Sequence, residues 1–485
     1  MSKIEELKPA EVWKHFHALT RIPRPSKKEA EVIAYMKKFG EDLGLETLVD
    51  EVGNVIIKKP ATPGMESRKG VVLQGHLDMV PQKNSNRNFD FEKDPIEALI
   101  DGEWVKANGT TLGADNGIGV AAAMAVLEST TLKHGPIEAL FTIDEETGMT
   151  GAFGLKPGRL DGDILINMDS EDEGELYVGC AGGIDVSAFS SYKEEDVPAG
   201  HAAFQVSAEG LKGGHSGIDI PLGRANANKI LFRFLMQAEA DLNIRLSGAS
   251  GGDLRNAIPR ESQATLLVPE PQTGAFETMV RDYQDMYRKE FAETEPDLVF
   301  TCAKTGMPAG VIPAARQAKF IRAVFACPNG VQRMSQSMKG LVETSSNLAI
   351  VRIKGGSFEA HNLTRSSVDS AKEATAWKIA AVFHLMDAEV RLSGSYPGWK
   401  PNMDSPILHT CQEVYRKNFG KVPEIKAIHA GLECGLLGGV YPNLDMISFG
   451  PTIRFPHSPD EKVNIDTVLK FWKFLVAILE EIPER

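Results

Sequence analysis

Short apolar runs alternate with helix-like segments through the first 187 residues, and this alternation is the strongest constraint on the fold. The runs GVVLQG (70–75), IEALFTID (137–144) and DILINMD (163–169) have the length and composition of buried strands, and NGIGVAAAMAVLES (116–129) lies between them as a helix-like segment. Strands separated by helices are typical of a mostly parallel sheet with helices on its faces. In such sheets, functional residues collect at the carboxyl ends of the strands.

The pattern changes to an α+β one between residues 188 and 400. Predicted strands here are AAFQVSAEG, SQATLLVP, LVFTCAKTG, KFIRAVFACP and NLAIVRIKGG, with long helix-like segments between them. Each half of this region contains a strand, a helix, two strands joined by a tight turn and a second helix, which indicates a duplicated unit. After a linker with three prolines, the first pattern returns. We therefore predict a discontinuous domain of residues 1–187 and 401–485, interrupted by a domain of residues 188–400.

Composition excludes several classes of partner. The net charge of -13 disfavours nucleic acid, because binding a phosphate backbone requires a basic patch. Five scattered cysteines without a C-x-x-C pair fit a reducing compartment better than a disulfide framework. The N-terminus lacks the apolar segment of a signal peptide, and no window has the length of a membrane span. These features predict a cytoplasmic protein without a membrane partner.

Histidines and carboxylates follow several predicted strands of the two outer segments. Each has an ordinary explanation by itself: an isolated H-x-D is usually a surface pair, a carboxylate at the start of a helix is often a cap, and SEDEGE resembles a solvated acidic run. Together they would meet at one edge of one sheet, which favours a metal site. The residues are His76, Asp78, Asp115, Glu145, Glu146, Asp169 and His457.

This set of donors suits two zinc ions about 3.5–4 Å apart with a water between them as the nucleophile. In this hypothesis, Asp115 spans both ions. His76 and Asp169 complete one ion, and His457 and Glu146 complete the other. Manganese and cobalt accept the same ligand types, so the residues alone do not fix the metal.

Two further carboxylates have roles beside the metals in this hypothesis. Asp78 would hold a ligating imidazole in position and fix its tautomer. Glu145 is not needed as a ligand and is suited to take a proton from the water and pass it to the leaving amine.

The ordered motifs GHLDMVP, LGADNGIG, DEETGMTGAFGL, NMDSEDEGE, CAGG, KGGHSG, LRNAIPR and GPTIRFPHSPDE resemble those of the aminoacyl-histidine (Xaa-His) dipeptidases. These enzymes belong to a dizinc exopeptidase family that also holds carnosinases, tripeptidases and aminoacylases, and the resemblance runs essentially from end to end. It implies an α/β zinc-exopeptidase domain with a mixed, mostly parallel sheet, and an inserted α+β lid or dimerisation domain. It supports the ligands and the base named above, and it implies a cis peptide bond between Asp115 and Asn116.

The resemblance also implies substrate-binding residues. His215, in KGGHSG, would polarise the scissile carbonyl. Asn256 and Arg365 would hold the substrate, with the arginine suited to grip a C-terminal carboxylate. Gly431 would lie in a substrate-facing loop. From the residues alone, each of these signals is weak, because a histidine among glycines is usually a turn residue and a lone arginine is usually a surface charge.

Three neighbours of Gly431 are less informative. Glu433 lies in the same predicted loop, without an assigned role. Cys434 is interpreted as a small packed residue and not a nucleophile, because the pattern implies no activating histidine. His429 is left undecided.

The resemblance implies a dipeptidase that acts on Xaa-His substrates, including carnosine-like ones, through a metal-bridging hydroxide with Glu145 as general base. One alternative is the same site acting on other dipeptides, tripeptides or N-acyl amino acids, since pocket shape sets substrate choice. Another is a non-catalytic binding protein on this scaffold, which the complete residue set disfavours. The expected partners are a small peptide and a second copy of the chain, and whether His215 acts within its own chain stays open.

Overall fold

The computed structural model describes residues 3–485 and divides into two compact units. The first unit extends to Gly179 and continues with Pro401–Ala427 and Leu432–Arg485, and the second comprises Cys180–Lys400 and Ile428–Gly431.

The helices and strands are as follows. The helices are α1 (Ala10–Thr20), α2 (Ala30–Asp42), α3 (Ala114–Glu128), α4 (Glu145–Gly148), α5 (Thr150–Gly154), α6 (Ala227–Leu242), α7 (Thr273–Glu290), α8 (Ala314–Ala326), α9 (Asp369–His384), α10 (Pro406–Phe419), α11 (Glu433–Val440) and α12 (Ile465–Glu481). The strands are β1 (Glu46–Val49), β2 (Val55–Lys59), β3 (Val71–His76), β4 (Ala98–Asp101), β5 (Trp104–Ala107), β6 (Ile137–Thr142), β7 (Ile164–Asn167), β8 (Glu175–Cys180), β9 (Gly182–Ser191), β10 (His201–Glu209), β11 (Gly214–His215), β12 (Arg245–Gly251), β13 (Ala257–Ile258), β14 (Ser262–Pro269), β15 (Val299–Lys304), β16 (Gly330–Met334), β17 (Val342–Lys354), β18 (Ser357–Ser366), β19 (Glu389–Tyr396), β20 (Glu424–Ile428), β21 (Asp445–Ser448), β22 (Ile453–Arg454) and β23 (Lys462–Asn464).

The first unit is built on an eight-stranded mixed sheet in the order β1-β2-β6-β3-β7-β21-β8-β20. Its four central strands, β6, β3, β7 and β21, are parallel neighbours. Every residue of β3, β6 and β7 is buried. Strands that are buried on both faces have mostly apolar sequences without polar residues at alternate positions, which explains the apolar runs seen in the sequence. Strand β21 comes from the C-terminal segment and pairs with β7, so both ends of the chain complete one sheet, as predicted.

A smaller sheet of the first unit holds the loop that carries His457. Its order is β22-β23-β5-β4, and His457 lies in the connection between β22 and β23. Helix α3 packs against α1 and β3 and is buried along almost its whole length, because its sequence is apolar on every face. The buried helix places its N-terminal residues beside the carboxyl end of β3.

The second unit is built on a nine-stranded sheet with the main order β15-β10-β14-β12-β17-β18-β9-β19, and β16 pairs with β17. The predicted boundary at residue 187 falls inside β9 and is too late, because β9 pairs along its length with β18 and β19 of this sheet. Residues 428–431 also belong to the second unit, whereas the prediction placed them in the first. The backbone N–H of Ala181 donates to the carbonyl oxygens of Ile428 and Ala430 at 3.1 and 2.9 Å.

The predicted strand KFIRAVFACP is wrong, because most of this run is the second half of α8. The buried side chains of α8 include Gln317, Phe320, Ile321 and Val324, which have the three- and four-residue spacing of one helix face. An apolar run with aromatic and β-branched residues has the composition of a strand, so composition alone misled the prediction.

In each half of the second unit, three strands lie between two long helices: β12, β13 and β14 between α6 and α7, and β16, β17 and β18 between α8 and α9. In the second half, β17 and β18 are joined by a tight turn at Gly355 and Gly356, whose φ angles are 59° and 80°. In the first half, the run LRNAIPRESQATLLV predicted to hold two strands and a tight turn contains β13 and β14, separated by residues 259–261. These two strands do not form a hairpin, because β13 pairs with β11 and β14 pairs with β10 and β12.

No helix within residues 3–485 combines the length and the apolar character that a bilayer span requires.

Candidate metal centre

The five predicted metal ligands lie together at the carboxyl edge of the central strands. His76 is the last residue of β3, and Asp169 follows β7 by two residues. Glu146 lies in α4, which follows β6 after a turn. Asp115 is at the start of α3, and its peptide bond to Asn116 is cis, which confirms that prediction.

The two oxygens of Asp115 face two different histidines. Oδ1 lies 3.1 Å from His76 Nε2, and Oδ2 lies 3.3 Å from His457 Nε2. Each histidine also faces a second carboxylate: His76 Nε2 is 3.3 Å from Asp169, and His457 Nε2 is 2.9 Å from Glu146. In each of these two triads, one donor atom per residue lies within 4.8 Å of the others. The arrangement is therefore two metal-sized triads that share Asp115.

The electrostatics of this cluster favour bound cations. Burial, with Asp115 and Glu146 nearby, raises the pKa of Asp169 to about 7. Hydrogen bonds to Asp115 and Glu146 raise the pKa of His457 to about 11. Burial opposes a charge on His76, yet Asp169 and the other carboxylates still raise its pKa well above the usual value. Imidazole and carboxylate ligands must be deprotonated to bind a metal, so divalent ions would replace protons in this cluster. The residues present therefore fit a pair of divalent ions.

Asp78 is fully buried and connects β3 to α4. Its Oδ1 lies 3.4 Å from His76 Nδ1 and accepts from the backbone N–H of Glu145 at 3.0 Å. Its Oδ2 accepts from Ser26 Oγ at 2.7 Å and from the N–H of Glu146 at 3.3 Å. Burial opposes the charge, but these hydrogen bonds lower the pKa of Asp78 to about 2. Asp78 thus faces Nδ1 of His76, and the other ring nitrogen, Nε2, faces the shared aspartate.

Glu145 lies beside the predicted ligands. Burial raises the pKa of its carboxyl group well above the usual value, and the charges of Asp169, Glu433 and Glu146 raise it further. One of its oxygens lies within 4.8 Å of donor atoms of His76 and Glu146. A carboxyl group with a raised pKa is better suited to accept and release a proton than an ordinary one.

Glu433 does not lie on an exposed loop. It is fully buried, and its Oε2 accepts from Gln74 Nε2 at 2.6 Å and from Thr142 Oγ1 at 2.7 Å. Gln74 and Thr142 belong to β3 and β6, so Glu433 is anchored to two of the strands that precede ligands. The adjacent Cys434 is also fully buried, in agreement with its interpretation as a packed residue.

Two of the predicted substrate-binding residues meet in the second unit. Arg365, on β18, is 5% exposed, and its guanidinium contacts Ser216 Oγ, Tyr396 Oη and His215 Nε2 at 3.3, 3.2 and 3.4 Å. None of the ion pairs formed by residues 3–485 includes Arg365. A buried guanidinium without a carboxylate partner is costly, so the cluster is suited to receive an anion.

The other two predicted residues adjoin this cluster. A Cβ at Gly431 would lie 3.2 Å from the ring of Tyr396, so a larger side chain would press on that ring. Asn256 is exposed, and its carbonyl oxygen accepts from the N–H of Ser216 at 2.8 Å.

His429 belongs to the same cluster. Its Nε2 lies 2.7 Å from Ser345 Oγ, and burial, with the charges of Arg365 and His215, lowers its pKa to about 3. The ring is therefore neutral.

Comparison with known proteins identifies the family. Residues 72–481 match Peptidase family M20/M25/M40. The chain belongs to this family. It is 47% identical to the cytosol non-specific dipeptidase of Escherichia coli (strain K12), over 485 residues that cover 100% of both chains. It is also similar to the crystal structure of aminoacylhistidine dipeptidase from Vibrio alginolyticus, with 50% identity, a TM-score of 0.96 and coverage of 100% of this chain and 99% of that one.

A more distant solved structure shares the fold. Aminopeptidase PepT from Bacillus cereus has 17% identity and a TM-score of 0.58, with coverage of 98% and 99% of the two chains. The resemblance and the α/β peptidase fold expected from the motifs are thus confirmed, and the protein is an M20 peptidase and a hydrolase. As a member of a metallopeptidase family, it binds metal.

Two buried charged residues of this M20 peptidase were missed by sequence reasoning. Arg24 and Glu461, each 2% exposed, contact the backbone around Asp115. Glu461 is part of the motif HSPDE, four residues after His457, and that spacing was the available signal. Arg24 lies in a loop after α1 and carries no signal in the sequence.

Proposed function

We propose that the protein is a dizinc dipeptidase whose metal ligands are the two triads that share Asp115. The observation that carries the proposal is the placement of the two oxygens of Asp115 against separate imidazoles, at 3.1 Å from His76 Nε2 and 3.3 Å from His457 Nε2. A site for a single ion does not require the two oxygens of one carboxylate to face different histidines. A shared carboxylate with one histidine and one further carboxylate on each side is the ligand pattern of two adjacent ions.

The chain's own residues would perform the steps around the metals. When bound, the two ions would supply Lewis acidity toward the peptide carbonyl and lower the pKa of a water molecule. Glu145, with its raised pKa, would accept the proton of the attacking water and deliver it to the nitrogen of the leaving amine. Asp78 would keep Nε2 of His76 free for a metal through its contact with Nδ1.

The proposed roles of the second unit concern the rest of the substrate. Arg365, a buried cation without a carboxylate partner, would bind the C-terminal carboxylate. His215 Nδ1 accepts from the N–H groups of Gly217 and Ile218 at 3.1 and 3.0 Å, so the proton of the neutral ring lies on Nε2. That N–H would donate to the carbonyl oxygen as negative charge develops on it. Asn256 and Gly431 would complete the binding surface.

The proposed substrates are dipeptides with a free carboxylate, including Xaa-His and carnosine-like ones. The name of the Vibrio alginolyticus relative, aminoacylhistidine dipeptidase, supports histidine at the second position. The name of the Escherichia coli relative, cytosol non-specific dipeptidase, supports a wider range of dipeptides and a cytoplasmic location. We further propose a homodimer, as the family resemblance implies, with no nucleic-acid or membrane partner.

A metal analysis joined to a substrate panel tests this proposal. The purified protein should contain two zinc ions per chain, and it should hydrolyse Ala-His, β-Ala-His and Ala-Ala but not their C-terminal amides. Asp115→Asn should lose metal together with activity. A single ion per chain, or hydrolysis of N-acetyl amino acids in place of free dipeptides, would contradict the proposal.

A further inference from the structure

Glu461 binds four consecutive backbone N–H groups at the start of α3. Its Oε2 accepts from Leu112 at 2.7 Å and from Gly113 at 2.9 Å, and its Oε1 accepts from Ala114 at 2.7 Å and from Asp115 at 3.2 Å. The N–H groups at a helix start lack partners within the helix, and a carboxylate is the strongest acceptor for them. The last of the four groups belongs to the aspartate shared by the two triads.

Arg24 binds the other side of the same turn. Its Nη1 donates to the carbonyl oxygens of Leu77 and Asp78 at 2.9 and 3.0 Å, and its Nη2 donates to that of Gly113 at 2.6 Å. Gly113 has a φ of 71°, and a Cβ there would lie 2.5 Å from Arg24 Nη2, so the turn has no space for a side chain. One guanidinium therefore joins the segment after His76 to the turn before Asp115.

These contacts link ligands that are far apart in sequence. Glu461 belongs to the loop of His457, so that loop holds both a ligand of one triad and the acceptor that fixes the backbone of Asp115. Arg24 also links two segments that carry ligands, because its guanidinium joins Leu77, which follows His76, to Gly113, in the turn before Asp115. Together, the side chains of Glu461 and Arg24 hold the turn that leads into Asp115.

We propose that Glu461 and Arg24 are positioning residues of the metal centre, which hold Asp115 at the spacing that both triads require before any ion binds. The inference rests on the proposed dinuclear function. Neither residue supplies a ligand atom in this proposal. Residues that orient metal ligands typically change metal affinity by about 10- to 100-fold when substituted.

If Glu461 only caps α3, its substitution should lower the melting temperature without changing zinc affinity. A control variant at a carboxylate that caps another helix separates this role from that of a positioning residue. Glu461→Gln keeps the size of the side chain but places an amide NH2 against backbone N–H groups. Asp445→Asn is the matched control, because Asp445 accepts from Ser405 Oγ at 2.5 Å and from the N–H of Ile407 at 2.8 Å at the start of α10. Asp445 is the first residue of β21, at the opposite end of this strand from the carboxyl edge.

The experiment measures zinc affinity and the melting temperature of the metal-free protein for each variant. Affinity is determined by competition with a chromophoric chelator on full-length protein. We expect Glu461→Gln to weaken zinc binding by about 10- to 100-fold, whereas Asp445→Asn lowers the melting temperature and leaves zinc affinity within about twofold of the parent. Zinc affinity unchanged in Glu461→Gln, with only its melting temperature lowered, would reduce Glu461 to a helix cap and overturn the proposal.

Arg24→Lys provides a second, independent variant. The lysine keeps the charge but cannot reach three carbonyl oxygens in the planar geometry of a guanidinium. We expect Arg24→Lys to weaken zinc binding as well. If Glu461→Gln does not fold, the zinc affinity of Arg24→Lys tests the proposal by itself. A parent protein that binds fewer than two ions would contradict the proposed function itself, whereas two ions in the parent with unchanged affinity in the variants would contradict only this inference.

Discussion

Nε2 of His215 and Nη2 of Arg365 lie 3.4 Å apart, and both atoms carry a hydrogen. The assignment for His215 follows from its other nitrogen, since Nδ1 accepts from the N–H groups of Gly217 and Ile218. Burial, with the charge of Arg365, lowers the pKa of His215, so the ring is neutral with its proton on Nε2. Two donors without an acceptor between them do not bond to each other. In the proposed function, an anionic or carbonyl oxygen of the substrate would be the acceptor for this pair of donors.

The first prediction concerns Arg365. Arg365→Ala should keep both metals and raise KM for dipeptides by about 10- to 100-fold, because a hydrogen bond to a charged group contributes about 1.5–3 kcal/mol. The effect should fall on KM, since the carboxylate is bound equally in the ground state and the transition state. Steady-state kinetics and metal analysis check this. A variant that lost metal, or that lost kcat with an unchanged KM, would contradict the assigned role.

The second prediction concerns His215. His215→Ala should lower kcat by about 100- to 1,000-fold, the usual effect of removing one donor to a developing oxyanion. KM and metal content should change little. His215→Gln is the matched control, because its side-chain amide retains an N–H donor and should recover part of the lost rate. Equal effects of Arg365→Ala and His215→Ala on KM and kcat would show that the two residues do not have separate roles.

The third prediction concerns the base. Glu145→Gln should leave the metal content almost intact and lower turnover by at least about 100-fold, because glutamine cannot accept the proton. Metal analysis and initial rates on the same preparation measure both quantities. Near-normal turnover would exclude Glu145 as the base.

The sequence predicted that the candidate metal donors would lie together, because they follow strands and the carboxyl ends of parallel strands lie at one edge of a sheet. It predicted the supporting residues poorly. Glu461 and Arg24 act through backbone N–H and carbonyl groups of segments far along the chain, and those contacts have no residue type or spacing of their own. The error at α8 has a different origin, because the apolar face of a helix there contains the aromatic and β-branched residues of a strand.

The fourth prediction concerns removal of the metals. Without ions, the two triads hold several buried carboxylates close together, and burial with this repulsion raises the pKa of Asp169 to about 7. Removing the ions with a chelator should therefore abolish activity and lower the melting temperature. A free ion concentration 100 times its dissociation constant stabilises the folded state by about 2.7 kcal/mol per site. Calorimetry with and without added zinc measures this, and a melting temperature that is independent of zinc would contradict a metal-linked fold.

The last prediction concerns Asp78, which contacts a ligand without being one. Its oxygens hold Nδ1 of His76 and the N–H groups of Glu145 and Glu146, and its carboxylate has a pKa lowered to about 2. In Asp78→Asn, one oxygen becomes an NH2 group, so a donor must face either the imidazole or a backbone N–H. Support for the ligand imidazole and for the segment that carries Glu146 is then lost together.

We therefore expect Asp78→Asn to weaken zinc binding by about 10- to 100-fold. The competition assay with a chelator measures this change, and Glu145→Gln serves as the control, since it alters a neighbouring carboxylate that is not expected to support a ligand. If saturating zinc restored the full turnover of Asp78→Asn, the residue would act only on metal affinity. If zinc affinity were unchanged while turnover fell, Asp78 would act in catalysis and not in orienting His76.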